Sequence, residues 1–287
     1  MTMRKSCSHK KFIEYFKRDF SDRRVFFSIN SGRSGSQYLA ELLGTAEEVT
    51  SFHEAEPFMN GEYLHLVNQF FYPDTIKKRR LKAKAIKKIL RGLPPDQIYC
   101  ETNHMFIKTF FDVIAEEFQN FEVIILRREL AFVLKSFIEL GYFSDKNSAW
   151  ADWMTSPNAN TAALSCISSD DRLDQYDLCI AYLFDIEARA LRFQKAFPLV
   201  KTHQVRLESL NDYFNVESLF RDLKITMTDK TKSFLGRKTN TREKAKNNYD
   251  NPSDLEYCRM RIEMYIEKAL SSGIVLPDTL ALGEYKN

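Results

Sequence analysis

The stretch from Val25 to Leu43, VFFSINSGRSGSQYLAELL, limits what the chain can fold into more than any other. A strand-prone run, Val25 to Ile29, meets the small-residue turn Asn30-Ser-Gly-Arg-Ser-Gly-Ser36. After the turn, Tyr38, Leu39, Leu42 and Leu43 recur at helical spacing. The pattern predicts strand, loop and helix. Gly32 and Gly35 let the backbone approach a ligand closely, the first N–H groups of the helix have no partner inside it, and the helix dipole favours an anion there.

The same alternation recurs downstream. Val49 to Pro57 predicts a second strand running into a loop, and residues 62–72 read as helical. Gln97 to Glu101 predicts a strand leading into Thr102-Asn103-His104, followed by helical spacing from Met105 to Phe118. Phe121 to Leu126, FEVIIL, is the clearest buried strand; it ends at Arg127-Arg128 and feeds a helix from Glu129 to Leu140. Asp174 to Phe197 reads as a long helix with Leu178, Tyr182, Ile186, Ala190 and Phe193 on a core-facing stripe. Leu199 to Leu207 predicts a further strand, with helices expected over 216–224, 228–235 and 253–270. This order predicts an α/β fold with a central parallel sheet flanked by helices, whose loops from Asn30, Phe52, Thr102 and Arg127 converge at the carboxyl ends of the strands. Thr75 to Arg91, crowded with Lys and Arg and stopped by Gly92 and Pro94-Pro95, reads as one surface helix with a solvated face, or as a patch for an anionic acceptor or a membrane surface.

At 287 residues, 44% hydrophobic, with nine glycines, eight prolines and no internal repeat, the chain predicts one domain over 1–287. Residues 1–22 are expected as an N-terminal extension or helix, and 142–170, with Trp150, Trp153 and Pro157, as a lid or acceptor-binding segment. A net charge of +3 is too small to argue for nucleic acid. The five cysteines form no Cys-x-x-Cys pair and the five histidines no ligand pattern, so no metal and a reducing compartment are expected. The basic N-terminus lacks the apolar core of a signal peptide, and no apolar run of about 18 residues predicts a membrane span. The expected location is cytoplasmic. Oligomeric state leaves no readable signal.

The first loop departs from the nucleoside-triphosphate P-loop, because Gly32 and Gly35 are three apart and no Lys-Ser or Lys-Thr follows. The dinucleotide Gly-x-Gly-x-x-Gly fingerprint is absent as well. Ser31-Gly-Arg-Ser-Gly-Ser-Gln-Tyr-Leu39 instead resembles the 5′-phosphosulfate loop of sulfotransferases that use 3′-phosphoadenosine-5′-phosphosulfate, especially the Arg-Ser-Gly-Ser form of carbohydrate sulfotransferases. That family carries a second signature, a strand-end arginine followed eight residues on by a serine that together bind the 3′-phosphate; Arg128 and Ser136 have that spacing. Thr102-Asn103-His104, 24 residues before Arg128, is similar to the Lys-Thr-His of cytosolic members. Val205-Arg-Leu-Glu-Ser-Leu210 looks like the family's Arg-Tyr-Glu-Asp-Leu strand, and Ser233-Phe-Leu-Gly-Arg-Lys238 like its late Arg-Lys-Gly segment. The lysine of Lys-Thr-His is missing, Arg33 stands where cytosolic enzymes have lysine, and Glu129-Leu130 replaces the usual Asn-Pro or Asp-Pro. These departures point away from the cytosolic aryl and steroid enzymes.

The resemblance implies a P-loop-like phosphosulfate-binding loop and in-line sulfuryl transfer to an acceptor hydroxyl, of a carbohydrate or small metabolite, with no metal. Arg33, Ser34, Gly35, Ser36 and Gln37 would hold the phosphosulfate, with Arg33 against the charge growing on the bridging oxygen. Arg128 and Ser136 would hold the 3′-phosphate, and Arg237 and Lys238 would close over the nucleotide. The base that takes the hydroxyl proton is expected to be His104, Glu54 or Glu56, with His53 behind them. Two other readings stay open on the residues alone: a phosphoryl-transfer enzyme with a nonstandard phosphate loop, and a nonenzymatic nucleotide-binding module.

Overall fold

A computed structural model describes residues 20, 22–70, 72–157, 159–167, 173–237 and 254–281. Five strands form one parallel sheet: β1 (Val25–Ile29), β2 (Val49–His53), β3 (Ile98–Thr102), β4 (Phe121–Arg127) and β5 (Thr202–Arg206), in the order β2-β3-β1-β4-β5. β1, β3 and nearly all of β4 are buried, as expected for strands with a helical layer on each face, whereas the edge strand β5 alternates buried with more exposed positions and the edge strand β2 is fully buried only at Val49.

The two faces are separated by the period-2 alternation of the strands. Val25, Phe27, Ile29, Val123 and Ile125 belong to the larger core. That core is covered by α2 (Glu62–Gln69), α4 (Leu81–Gly92), α5 (Phe111–Glu117), α6 (Leu130–Glu139), α7 (Gln175–Ala196) and α10 (Leu255–Ser271). Phe26, Cys100, Ile124, Leu126 and Val205 point the other way, against α1 (Ser36–Leu43), α8 (Tyr213–Asp222) and α9 (Asp229–Phe234). β1 is flanked by β3 and β4, so the chain moves outward to β2, returns to β3 and then crosses to the far side of β1. The carboxyl end of β1 is therefore the switch point, where a cleft opens.

Two stretches differ from expectation, the basic one and the one after Met105. Thr75 to Arg91 is two helices, α3 (Tyr72–Arg79) and α4, with the break at Arg80. Its face is only partly solvated: Arg79 and Lys82 are completely buried, Arg79 paired to Asp112 at 2.5 Å and Lys82 to Glu101 at 2.7 Å. The helical spacing after Met105 begins as a π-helical turn, Phe106–Phe110, before α5. Residues 142–157 are irregular apart from a 3₁₀ turn at Ser148–Asp152. The last helix, α11, is Asp278–Ala281. Residues 1–19 and Lys238 lie outside the described residues, and no described helix is long and apolar enough to cross a membrane.

Candidate active site

The loop after β1 is built by local hydrogen bonds. Asn30 is buried beside Ser28; its Nδ2 donates to Ser28 Oγ at 2.8 Å, and its Oδ1 accepts from Gly32 N at 3.0 Å. Ser28 Oγ also accepts from Asn103 N at 3.1 Å, tying the loop after β3 to β1. The turn then uses left-handed backbone at Gly32 (φ 78°), Arg33 (φ 55°) and Gly35 (φ 89°). Gly35 is the N-cap of α1, which therefore opens without a side-chain cap, and a Cβ there would lie 2.4 Å from Leu207 Cδ1. Arg33 pays a steric cost that glycine would avoid, and such strain concentrates at ligand-binding positions. Glu54, at the mouth of the loop after β2, has the same conformation (φ 52°).

The expected convergence occurs at a cleft of about 680 Å³. Arg33, Gly35, Ser36, Gln37, His53, Glu54, His104, Arg128 and Arg237 all line it. The arginine of the loop meets both members of the later signature. Arg33 Nε donates to Ser136 Oγ at 3.1 Å, and Arg128 Nη1 donates to the Arg33 carbonyl at 3.1 Å. The Arg128 guanidinium also lies over the Phe132 ring, 5.2 Å from its centroid. Ser34, an expected site residue, is buried and does not line the cleft, and its Oγ has no hydrogen-bond partner among the described residues. Glu56 does not line the cleft and is exposed.

Beside Glu54 stand two histidines held in opposite ways. His53 Nδ1 lies 3.1 Å from the Thr102 carbonyl, which can only accept, so His53 carries its proton on Nδ1 and turns Nε2 toward Glu54 Oε1 at 3.8 Å. His104 is 9% exposed; its Nδ1 meets Lys108 Nζ at 2.8 Å and its Nε2 faces Glu54 Oε1 at 3.5 Å. Burial, then the nearby Lys108, holds the His104 imidazolium well below the usual histidine range, so the ring is neutral at neutral pH.

Several residues at the site carry no motif. Phe137, Tyr142, Trp153 and Met154 form an apolar wall of the cleft, so the 142–170 segment contributes three of its residues to the lining. Leu207, in the stretch compared above with Arg-Tyr-Glu-Asp-Leu, and Asn211, just after it, also line the cleft. Lys108 is fully buried and is the most unusual: a lone lysine in the apolar run Met105 to Phe111, four residues after His104, which was the available sequence signal.

Neither a family model nor a curated relative matches the sequence. Solved structures do resemble the fold. The sulfotransferase domain from the curacin biosynthetic pathway superposes with a TM-score of 0.50 at 13% identity, over 89% of this chain and 99% of that one. The sulfotransferase domain of the Synechococcus PCC 7002 olefin synthase gives 0.48 at 13% identity, over 89% and 96%. A sulfotransferase from Alicyclobacillus acidocaldarius gives 0.47 at 11% identity, over 86% and 93%. At such identities the likeness concerns the fold, a five-stranded parallel sheet flanked by helices.

Proposed function

We propose, for a chain that folds as a sulfotransferase domain, that it transfers the sulfuryl group of 3′-phosphoadenosine-5′-phosphosulfate to an acceptor hydroxyl, of a carbohydrate or a small metabolite. The observation that carries this reading is the junction at Arg33. Two signatures about 100 positions apart in sequence, the Arg-Ser-Gly-Ser loop and the Arg128/Ser136 pair, are joined by hydrogen bonds through that one residue. The residues fit the nucleotide. Three arginines line the cleft, α1 presents an uncapped N-terminus, and Ser34 Oγ is a buried donor with no partner among the described residues.

Sulfuryl transfer is an in-line displacement in which negative charge grows on the departing 5′-phosphate oxygen. Arg33 and the amides at the start of α1 would stand against that charge, Arg128 and Ser136 would hold the 3′-phosphate, and Arg237 would close over the nucleotide. The acceptor hydroxyl gives up its proton as its oxygen bonds to sulfur, and the products are the sulfate ester and 3′,5′-adenosine bisphosphate. Glu54, His104 and His53 are the cleft-lining residues that can take that proton; Glu56, exposed and away from the lining, is the weakest of the expected bases. The single domain over 1–287 remains part of the proposal, as does the carbohydrate-like form of the loop.

Incubation with sulfur-35-labelled donor and a panel of hydroxyl acceptors, without added divalent metal, tests the reading. Label is expected on an acceptor, and 3′,5′-adenosine bisphosphate is expected to raise the melting temperature. Stabilisation by ATP with magnesium and none by adenosine bisphosphate would overturn it in favour of phosphoryl transfer.

A further inference from the structure

Among the described residues Lys108 has no carboxylate within hydrogen-bond distance; it is surrounded by acceptors. Its Nζ is 2.5 Å from the Trp153 carbonyl, 3.0 Å from Tyr182 Oη and 2.8 Å from His104 Nδ1. The carbonyl can only accept. Tyr182 Oη spends its own hydrogen on the Ser31 carbonyl at 3.0 Å, so toward Lys108 it too accepts. Burial pushes the Tyr182 phenol far up, which keeps that hydrogen in place. Three contacts thus match the three N–H bonds of an ammonium, and the third falls on His104 Nδ1.

We infer that Lys108 is a positioning residue that donates to His104 Nδ1, fixes the neutral ring as the Nε2–H tautomer, and so makes His104 a hydrogen-bond donor in the cleft. The inference rests on the sulfuryl-transfer reading for its catalytic meaning, though not for the tautomer itself. A histidine that serves as base is usually oriented by a carboxylate or carbonyl that accepts from one nitrogen and leaves the other bare. A lysine inverts that arrangement. His53, whose Nδ1 donates to the Thr102 carbonyl, has the ordinary orientation and provides an internal contrast.

The consequence is a division of roles. With a hydrogen on Nε2, His104 donates toward Glu54 Oε1 or toward an oxygen bound beside it, and Glu54 is left to take the acceptor proton. Lys108 further joins three walls of the cleft, since Tyr182 leads to the phosphosulfate loop at Ser31 and Trp153 belongs to the apolar wall. The groups facing the pair are His53 and Glu54 at the end of β2, and Tyr182, Asp185 and Arg189 on α7. Burial first, and Arg189 second, push the lysine well below its ordinary value of 10.5. When the pair loses a proton at higher pH, the Lys108 lone pair faces His104, the ring carries its hydrogen on Nδ1, and Nε2 becomes an acceptor.

Long-range proton–nitrogen correlation spectra of the full-length, nitrogen-15-labelled protein, assigned with His104→Gln, read this directly. Wild type is expected to show Nε2–H at neutral pH and to invert to Nδ1–H below the ordinary lysine value of 10.5. Lys108→Gln, whose amide can still donate, is expected to keep Nε2–H and not invert. Lys108→Met is expected to lose the single tautomer, with kcat reduced about 10- to 100-fold and adenosine bisphosphate affinity unchanged. An Nδ1–H or doubly protonated ring in wild type at neutral pH overturns the inference, as does a Lys108→Met ring that matches wild type throughout. Should Lys108→Met not fold, the wild-type and Lys108→Gln spectra decide. None of these spectra needs substrate, so absence of adenosine bisphosphate binding would count against sulfuryl transfer and leave the tautomer standing.

Discussion

At the scale of single residues, the cleft combines three arginines with one carboxylate, Glu54, that stands beside two histidines. Glu54 is 38% exposed in its side chain, strained in backbone and flanked by two histidines, a position suited to meeting a hydroxyl that enters from solvent. Glu54→Gln keeps the shape and removes the proton acceptor; kcat is expected to fall about 100-fold with donor affinity unchanged, measured by initial rates and calorimetry. His104→Gln retains an amide donor and should lose less activity than Glu54→Gln; equal losses would return the base role to His104. Arg128→Ala removes a charged fork whose carbonyl contact also fixes Arg33, and adenosine bisphosphate affinity should drop by about 10- to 100-fold. Most of these residues were legible because their spacing is short and local. Lys108 and the tautomers it sets were not, because they depend on where a π-helical turn puts one Nζ relative to a strand and a distant helix.

At the scale of elements, the strand-loop-helix units were legible from apolar periodicity, and the basic stretch shows where periodicity fails. A pattern of charges reads as a solvated face because each lysine or arginine counts only as polar. Lys82 is instead a buried strut. Its Nζ donates to Glu101 at 2.7 Å and to the Ala55 carbonyl at 2.5 Å, while Glu101 also accepts from Tyr99 and Asn103. This network pins α4 to the end of β3 and holds the loop that follows Glu54. Removing one partner leaves the other charge buried and unpaired, so Lys82→Ala should cost about 3–5 kcal/mol in denaturant unfolding. Lys84→Ala, two positions on and exposed, should stay within about 0.5 kcal/mol. A similar small cost at both positions would mean that the Lys82 pair adds nothing to stability.

At the scale of the whole molecule, function and stability occupy opposite ends of one sheet. The strands' carboxyl ends carry the cleft, whereas their amino ends are clasped by Glu122 at the start of β4. This carboxylate accepts from Arg24 at 2.6 Å and from His203 of β5 at 2.8 Å, and Arg24 also donates to the Leu223 carbonyl after α8. The clasp joins β1, β4, β5 and a covering helix, a juxtaposition fixed by strand order and register, which no local pattern encodes. Burial acts to raise the Glu122 carboxyl, but hydrogen bonds from His203 and Arg24 outweigh it and lower it from 4.5 to about 2. Because the folded value is the lower one, the unfolded chain binds the proton first as acid is added. The clasp therefore stabilises the fold fully above 4.5, and its contribution drains away as pH falls from there to about 2. Denaturant unfolding followed across that interval should show wild type losing stability faster than Glu122→Gln, which should already be the less stable protein at neutral pH. Parallel acid limbs for the two proteins would show that the clasp does not carry the acid sensitivity. Because Glu122 is at the amino end of the sheet, opposite the cleft, adenosine bisphosphate affinity of folded Glu122→Gln should equal that of wild type at neutral pH, separating the end that holds the molecule together from the end that binds.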